Sequence, residues 1–272
     1  HINVVVFDVD YFKFINFFFI NNINCKKKIL ITGDDFELHE INSITASACD
    51  IVLSHCPFSV LKYKEKGYEA YQIHLDNGEI GKNDSSKKDI DVLFFGHITS
   101  DRKNFLDHIE KEGINLKNIG YEQPKDGLAE DELLKLISKS KIVVNFSKSR
   151  TKFVKSYSSE NIYKFYYQFK GRIMMAGLNG AACVSEYSPG QELFFNKDEI
   201  PTFFTKEECV VIINKMLKDE VLLKKYTNKF TFKVQNLFEN RNNFQPIYKA
   251  IEKSNHLKVK LIKIPYWYLR IS

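Results

Sequence analysis

Short apolar runs alternate with stretches of helical periodicity along the chain. Four runs in its first part have the length and composition of strands: 3–7, 28–32, 50–54 and 68–74. Beyond them the alternation resumes with four further runs: 91–95, 116–120, 141–146 and 182–187. Helical periodicity falls between the runs, for example at 36–48 and 103–112. Strands that alternate with helices in this way predict parallel α/β sheets.

A polar stretch divides the chain. Residues 76–89 are rich in Asn, Asp, Gly and Ser, which favour turns and linkers. We therefore predict an N-terminal lobe at 1–85, a second lobe at 86–255 and a basic aromatic tail at 256–272. Open parallel sheets bind ligands at the carboxyl ends of their strands. The predicted fold class is thus α/β, with two Rossmann-like lobes that face a cleft.

The overall charge is mildly basic, with a formal net charge of +6 over 272 residues. This balance fits an anionic small ligand or an anionic membrane surface, and it is too weak and dispersed to indicate nucleic acid. The five cysteines show no CxxC pairing, which predicts reduced thiols rather than a disulfide framework or a zinc site. No apolar run reaches the roughly 18 residues of a membrane span. We therefore expect a cytoplasmic protein.

The tail 256–272 combines four basic residues, no acidic residue and a Tyr-Trp-Tyr sequence. Basic side chains beside Trp and Tyr suit a membrane interface, where the tail would make peripheral contact at the inner face. The equal alternative is a terminal segment that packs back on the first lobe.

The stretch 168–192 holds the strongest candidate chemistry. Lys170 and Arg172 fall at or near the predicted start of a helix, and the turn Ser188-Pro189-Gly190 follows the next strand. Cations beside free helix N–H groups form an anion site, and the planar guanidinium fork suits phosphate oxygens. A diphosphate needs this combination, although a solvated basic face has the same spacing.

This stretch resembles the donor-binding segment of the CgeB-like branch of the group 1 glycosyltransferases, whose motif is roughly Q-x-K-G-R-x-F-E-x-x-x-x-G. The matching residues are Gln168, Lys170, Gly171, Arg172 and Gly180, with Glu192 and the aromatic residues after it at the expected place. Upstream, the runs 91–96 and 138–145 and the pair Asp101-Arg102 are similar to two strands and a loop of the family's C-terminal lobe.

The resemblance implies a GT-B-like architecture and transfer of a sugar from a nucleotide-diphosphate donor to a hydroxyl acceptor, on a glycan or glycolipid. It places the donor on the second lobe, where Lys170 and Arg172 would neutralise the diphosphate without a metal or another cofactor. Gly96 would let the backbone approach the phosphates. The other residues that it assigns to the donor are His97 and Arg102 beside the phosphates or sugar, Tyr121 beside the base, and Ser188, Gly190 and Glu192 in the later turn. For His97 and Tyr121, the alternatives are a surface histidine and a packing tyrosine.

One departure from the motif concerns the ribose. The family's Glu after Arg-x-Phe would hold the ribose hydroxyls, and this chain has Met175 there. A thioether is at most a weak acceptor and cannot replace a carboxylate. Either another group binds the ribose, or donor binding is weak or altered. A non-catalytic nucleotide-binding module of the same fold is therefore the main alternative function.

Acidic residues follow the strand 28–32 at its carboxyl end. There Asp35 or His39 could take a proton from the acceptor hydroxyl, which makes them the candidate catalytic residues. The alternative is structural, because Asp34 or Asp35 could cap the next helix.

A second alternative function is a phosphatase of the haloacid-dehalogenase type. An apolar strand that ends in Asp8-Val9-Asp10 is how such enzymes place a nucleophile and an acid. However, Gly33-Asp34-Asp35, which could imitate their magnesium-binding motif, follows too soon to leave room for the intervening core strands.

Overall fold

The computed structural model describes residues 4–8, 16–33, 35–73, 87–122, 127–148, 167–240, 248–249 and 251–252. Contacts divide these residues into two compact units. The first unit comprises the described residues up to 73, together with 167–169, 248–249 and 251–252. The second comprises 87–148 and 170–240. Each unit has its own sheet and its own hydrophobic core.

The first unit is a four-stranded parallel sheet with three helices among its described residues. In chain order the elements are β1 (Val4–Asp8), α1 (Phe17–Asn21), β2 (Lys27–Thr32), α2 (Asp35–Ala46), β3 (Ile51–Ser54), α3 (Pro57–Glu65) and β4 (Ala70–Gln72). The strand order follows the chain order, β1-β2-β3-β4, and every pair is parallel. Pro57 opens α3, a position where the missing N–H is not needed.

The core of the first unit lies between the sheet and its helices. Tyr63 of α3 is fully buried in a cluster with Leu30 and Val52 of the sheet. A smaller cluster contains Ile29, Ile51 and Leu53, and Ile251 from the far end of the chain packs against it. Residue 251 therefore belongs with the first unit by its contacts, whereas the sequence-derived boundary at 255 placed it in the second. The domain boundaries as a whole stay a prediction, and the tail 256–272 lies outside the described residues.

The second unit is a five-stranded parallel sheet with five helices among its described residues. In chain order the elements are β5 (Ile90–His97), α4 (Ser100–Lys111), β6 (Leu116–Tyr121), α5 (Glu130–Ser138), β7 (Ser140–Asn145), α6 (Arg172–Leu178), β8 (Ala182–Glu186), a 3-10 helix (Gln191–Leu193), β9 (Thr202–Phe203), α7 (Lys206–Lys218) and α8 (Glu220–Glu239). The strand order is β6-β5-β7-β8-β9, and every pair is parallel. The order departs from chain order between β5 and β7, which are direct neighbours.

Local sequence signals set the ends of the helices in the second unit. Thr205 caps α7, and Glu208 completes the predicted capping box by accepting from the backbone of the cap. Asn179 ends α6, and Gly180 follows with a φ of 72°, as the Asn-Gly pair predicts. The sequence placed the start of α4 near residue 103. The helix begins earlier, at Ser100, because Thr99 caps it through a hydrogen bond from Arg102 N.

The core of the second unit is aromatic. Phe94 of β5, Phe146 directly after β7 and Phe203 of β9 are almost completely buried, with ring centroids of consecutive members 5.4 and 6.0 Å apart. Full burial of such a ring contributes roughly 1.5–3 kcal/mol. Helix α6 packs on α8 so closely that a Cβ at Gly177 would lie 2.5 Å from Cγ2 of Val234. The core thereby fixes α6, the helix that carries Arg172, against the sheet.

The parallel α/β fold class is confirmed, and the strands β1 to β8 coincide with the eight predicted runs to within a few residues at each end. Three elements were not predicted. These are the five-residue helix α1, within a stretch interpreted only as aromatic-rich, the 3-10 helix Gln191–Leu193 and the two-residue edge strand β9. The five cysteines all lie among the described residues, and none of them forms a disulfide. Among the described residues, none of the helices is long and apolar enough to cross a membrane.

Candidate functional site

The carboxyl ends of three neighbouring strands bring polar residues of the second unit together. β5 ends at His97, β7 at Asn145 and β8 at Glu186, and the three strands are adjacent and parallel. Open parallel sheets place their ligand sites at this edge. The polar residues at and just beyond these three strand ends therefore form the candidate site.

Arg172, the first residue of α6, is held over this edge. Its Nη1 donates to Oδ1 of Asn145 at 3.2 Å. The guanidinium carbon lies 5.6 Å from the ring centroid of Phe94 and 5.4 Å from that of Phe95, within cation–π range. These contacts fix the fork at the ends of β5 and β7.

Gly96 gives Arg172 the space that it needs. Gly96 has a φ of +108°, which side chains rarely adopt, and a Cβ built there would overlap Nη2 of Arg172 and lie 3.1 Å from its Cζ. The sequence predicted that Gly96 lets the backbone approach a phosphate. In the structure the guanidinium of Arg172 lies against Gly96, and the approach of a phosphate to the backbone here stays a prediction. Two predicted donor-binding residues are therefore in direct contact.

Arg102 joins the loops that follow β5 and β7. Its side chain is buried, with 7% of the residue exposed. Nη1 donates to the carbonyl oxygen of His97 at 2.7 Å, and Nη2 donates to that of Lys148 at 3.2 Å. Arg102 thus carries a second guanidinium to the same edge of the sheet.

The positive charge of Arg172 is less well compensated by its surroundings than the negative charge of Glu186. Burial, and then the nearby charge of Arg102, lowers the pKa of the Arg172 guanidinium. Nε of Arg172 is buried, and within the described ranges it has no hydrogen-bond partner. Glu186 is the buried carboxylate of this edge, and it accepts from the backbone N–H groups of Ser147 and Lys148 at 2.8 Å each. Burial raises the pKa of Glu186, while these two N–H groups and Arg102 act in the opposite direction.

His97 and Tyr121 face each other across neighbouring strands. They are register partners in β5 and β6, and their rings meet edge to face with centroids 6.0 Å apart. Their position beside Gly96 agrees with the predicted arrangement. Contact of Tyr121 with a base, and of His97 with phosphates or a sugar, stays a prediction.

The remaining predicted donor residues lie around α6 and the turn after β8. Lys170 is partly exposed two residues before Arg172. Ser188 is fully buried, and no described residue hydrogen-bonds to its Oγ. Gly190 has a φ of 88° and precedes the 3-10 helix. Glu192 hydrogen-bonds to the hydroxyl of Tyr187, which raises the pKa of that phenol.

Met175 shares the outward face of α6 with Arg172. Both residues are partly exposed, whereas Ile173, Met174 and Ala176 between and beside them are buried. A spacing of three residues puts two side chains on one face of a helix. Met175 therefore lies on the same side of α6 as Arg172, and its place beside the ribose stays a prediction.

The two candidate catalytic residues lie in the first unit and are buried. Asp35 is 1% exposed, and its carboxylate accepts four hydrogen bonds. The donors are Thr32 Oγ1 at 2.6 Å, Ser54 Oγ at 2.5 Å, Asn42 Nδ2 at 3.0 Å and Tyr63 OH at 2.5 Å. A carboxylate has about four acceptor sites. The geometry therefore favours a structural role for Asp35, and its catalytic role stays a prediction.

His39 lies beside this cluster, with its ring centroid 4.5 Å from that of Tyr63. Burial lowers the pKa of His39 to about 4, against the opposing effect of Asp35. Both ring nitrogens are buried and have no hydrogen-bond partner among the described residues. A neutral imidazole could accept a proton, but this one is enclosed. Asp34, the alternative helix cap, lies outside the described residues.

Three residues of the site were not predicted from the sequence. Asn145 is fully buried and binds both Arg172 and Oγ of Ser185, at 2.8 Å for the latter. Lys148 lies in the loop after β7, and its backbone N–H donates to Glu186, the last residue of β8. The available signal was a polar residue directly at the end of an apolar strand, as in Val-Val-Asn145 and Val-Ser-Glu186. Within the described parts of the chain, no group of three or more His, Cys, Asp or Glu side chains is placed to hold a metal ion. Metal independence itself stays a prediction.

The fold is shared with solved glycosyltransferase structures of low sequence identity. TarM of S. aureus, in complex with fondaparinux, α-GlcNAc-glycerol and UDP, is 12% identical over 86% of this chain, with a TM-score of 0.59. The Anabaena protein HepE, in complex with UDP and glucose, is 12% identical over 84%, with a TM-score of 0.54. An α-glucosyltransferase in complex with UDP and a 13-mer DNA is 12% identical over 92%, with a TM-score of 0.56.

The matched part differs among these proteins. It makes up 52% of the TarM chain, 72% of HepE and 80% of the α-glucosyltransferase. This chain therefore spans about half the length of TarM. No curated protein matches the sequence at a significant level.

Two parallel α/β units of this kind define the fold class of the GT-B glycosyltransferases. The sequence identifies the family more closely. Residues 102–247, more than half of the chain, match the family described as glycosyl transferase-like, and the chain belongs to that family. The matched range includes Arg102, Asn145, Arg172 and Glu186. Neither the family match nor the fold supports the phosphatase alternative.

Proposed function

We propose that this chain is a glycosyltransferase that binds a nucleotide-diphosphate sugar on its second unit and transfers the sugar to a hydroxyl acceptor. One observation carries the proposal. Two guanidinium groups, those of Arg102 and Arg172, converge at the carboxyl edge of β5 and β7. Among the described residues, no carboxylate pairs with Arg172.

A diphosphate leaving group matches this arrangement. Charge-assisted hydrogen bonds from a guanidinium fork to phosphate oxygens are about twice as strong as neutral ones. The charge that develops on the leaving diphosphate would be stabilised by cations fixed before the reaction begins. Lys170 would add a third cation. The reaction would need no metal or other cofactor.

The comparisons support a uridine nucleotide as donor. All three of the solved structures described above contain UDP. Family membership over residues 102–247 covers the part of the chain that holds both arginines. The motif around Gln168 and Arg172 further supports the CgeB-like branch within the group 1 glycosyltransferases.

The proposal also includes an acceptor and a location. We propose a glycan or glycolipid acceptor, in line with α-GlcNAc-glycerol in the TarM structure. The net charge of +6 is too weak and dispersed to indicate a nucleic-acid acceptor. We place the protein in the cytoplasm, with the tail 256–272 in peripheral contact with the membrane.

Calorimetric titration with UDP in EDTA tests the donor site. We expect UDP to bind more tightly than uridine, and Arg172→Ala to weaken UDP binding by roughly 1.5–3 kcal/mol, because it removes charge-assisted contacts. Arg172→Lys keeps the charge but loses the fork, so it should recover only part of the affinity. Lys224→Ala, which removes an exposed cation of α8, is the matched control. Equal UDP affinity in the wild type and Arg172→Ala would contradict the proposal.

A second measurement separates an enzyme from a non-catalytic module. Incubation of the wild type with UDP-glucose and other UDP-sugars should release UDP through slow hydrolysis or transfer. If the chain binds UDP but releases no UDP from any of the UDP-sugars, the result would favour a non-catalytic binding module. That is the alternative function raised by Met175.

A further inference from the structure

A pocket of about 890 Å³ lies on the β9 side of the second unit. It is bounded by the 3-10 helix Gln191–Leu193, by β9 and by the first turns of α7. Its buried floor includes Phe195 and Ile200, whereas Phe204 and Val211 at its rim are each 65% exposed. The volume falls within the roughly 300–1,000 Å³ of small-molecule sites.

An aromatic face forms one wall of the pocket. The rings of Tyr187 and Phe204 lie 5.1 Å apart with an angle of 32° between their planes, so they present a nearly continuous surface. Glu192 accepts a hydrogen bond from the Tyr187 hydroxyl and thereby fixes the orientation of that ring. Exposed aromatic rings held in place in this way are suited to stacking against a ligand.

The polar groups of the pocket have the opposite charge to those of the arginine site. Three carboxylates line it, those of Glu192, Glu207 and Glu208, with Lys197 as its cation. Glu208 is engaged in the cap of α7, but the other two carboxylates lie at the surface. Gln191 also lines the pocket and is 3% exposed, and its Oε1 has no hydrogen-bond partner among the described residues. An acidic pocket repels phosphate, and its acceptor oxygens call for a ligand with hydroxyl or N–H donors.

We propose that this pocket binds an uncharged saccharide, at a site that contains neither Arg102 nor Arg172 and that includes Glu192, one of the predicted donor residues, in its lining. A pyranose ring has an apolar face of C–H groups, which are attracted to the negative face of an aromatic ring such as Phe204. Its hydroxyls donate to carboxylates and amide oxygens, which Glu192, Glu207 and Gln191 supply. The proposal does not depend on the proposed glycosyltransferase activity, because a non-catalytic chain could bind a saccharide here.

Saccharide binding can be tested with three neutral trisaccharides: maltotriose, cellotriose and triacetylchitotriose. Saturation-transfer NMR with the wild-type chain should show binding of at least one of them at millimolar concentration. Phe204→Ala should weaken it about five- to tenfold, the usual effect of removing one stacked ring. Phe232→Ala, which removes a ring of α8 that is 67% exposed and is not part of the pocket lining, is the matched control.

A second pair of variants tests the location by filling the pocket. Val211→Trp should block the rim and abolish binding, whereas Val221→Trp, at an exposed position outside the lining, should not. UDP affinity should stay unchanged in Phe204→Ala and Val211→Trp, so this proposal can fail without the donor site failing. The proposal is overturned if none of the trisaccharides binds, if Phe204→Ala binds as the wild type does, or if UDP displaces the bound saccharide.

Discussion

Replacement of Gly96 by Ala tests the contact on which the arginine site is built. The backbone φ of +108° makes any side chain at this position strained, by about 1–3 kcal/mol. The added Cβ would also overlap Nη2 of Arg172, so the guanidinium must move. It would then lose the hydrogen bond to Asn145 and its contacts with Phe94 and Phe95, worth roughly 2 kcal/mol more. We therefore expect Gly96→Ala to lower the free energy of unfolding by about 3–5 kcal/mol.

Gly113→Ala is the control that separates the cost of backbone strain from the cost of displacing Arg172. Gly113 also has a positive φ, +77°, but a Cβ there would meet no atom within 4 Å. Urea denaturation should therefore give a loss of only about 1–2 kcal/mol for Gly113→Ala. UDP affinity, measured by calorimetry, should fall in Gly96→Ala and stay unchanged in Gly113→Ala.

A double-mutant cycle with Arg172→Ala isolates the contact. Once Arg172 is truncated, the Cβ at position 96 has space, and Gly96→Ala should cost only its backbone strain. The expected coupling between the two substitutions is about 2 kcal/mol. An equal cost of Gly96→Ala in both backgrounds would show that Arg172 does not lie against Gly96. Unchanged UDP affinity in Gly96→Ala would show that the position of Arg172 is irrelevant to binding.

Three further predictions concern single positions. Met175→Glu should tighten UDP binding by about 1–3 kcal/mol by adding a carboxylate on the face of Arg172; a lower melting temperature without that gain would mean that the ribose lies elsewhere. Asp35→Asn should lower the free energy of unfolding by about 2–4 kcal/mol, because an amide cannot accept all four hydrogen bonds. A stable Asp35→Asn variant that binds UDP but has lost turnover would instead establish Asp35 as catalytic. The pKa of His39 is about 4 in the folded state, below its ordinary 6.5, so stability should fall as the pH drops from about 6.5 towards 4. Urea titrations should show a loss of roughly 2 kcal/mol at pH 5 that His39→Leu removes, and the same pH dependence in both proteins would refute this origin.

The sequence predicted the fold wherever periodicity and local chemistry agreed. The runs that became β2, β5 and β7 are apolar because both faces of a parallel strand are buried. The capping box at Thr205 marked the start of α7 by hydrogen bonds within one turn. Helix α1 and strand β9 have too few residues to show a period, so nothing local distinguished them.

The site was predictable where a motif fixes both residue type and spacing. Arg172 was singled out because its surroundings resemble a known donor-binding segment, and Gly96 because the run 91–96 resembles the strand that opens the family's C-terminal lobe. Asn145 was missed because its role depends on Arg172, which lies 27 positions away along the chain. Asp35 was named from the sequence, but its role could not be read there. An acidic residue after a strand has the same local sequence pattern whether its carboxylate faces a substrate or accepts hydrogen bonds from four internal donors.

The two hydrogen bonds of Arg102 have a consequence for the thermodynamics of binding. One guanidinium holds the carbonyl oxygens of His97 and Lys148, so the loops after β5 and β7 keep a fixed separation before any ligand arrives. Ordering of loops and side chains is a main cost of association, at about 0.5–1.5 kcal/mol for each flexible side chain immobilised. In this chain the two loops become ordered when the second unit folds, so ligand binding does not have to order them. The affinity of this edge for a diphosphate should consequently depend on how firmly the second unit itself is folded.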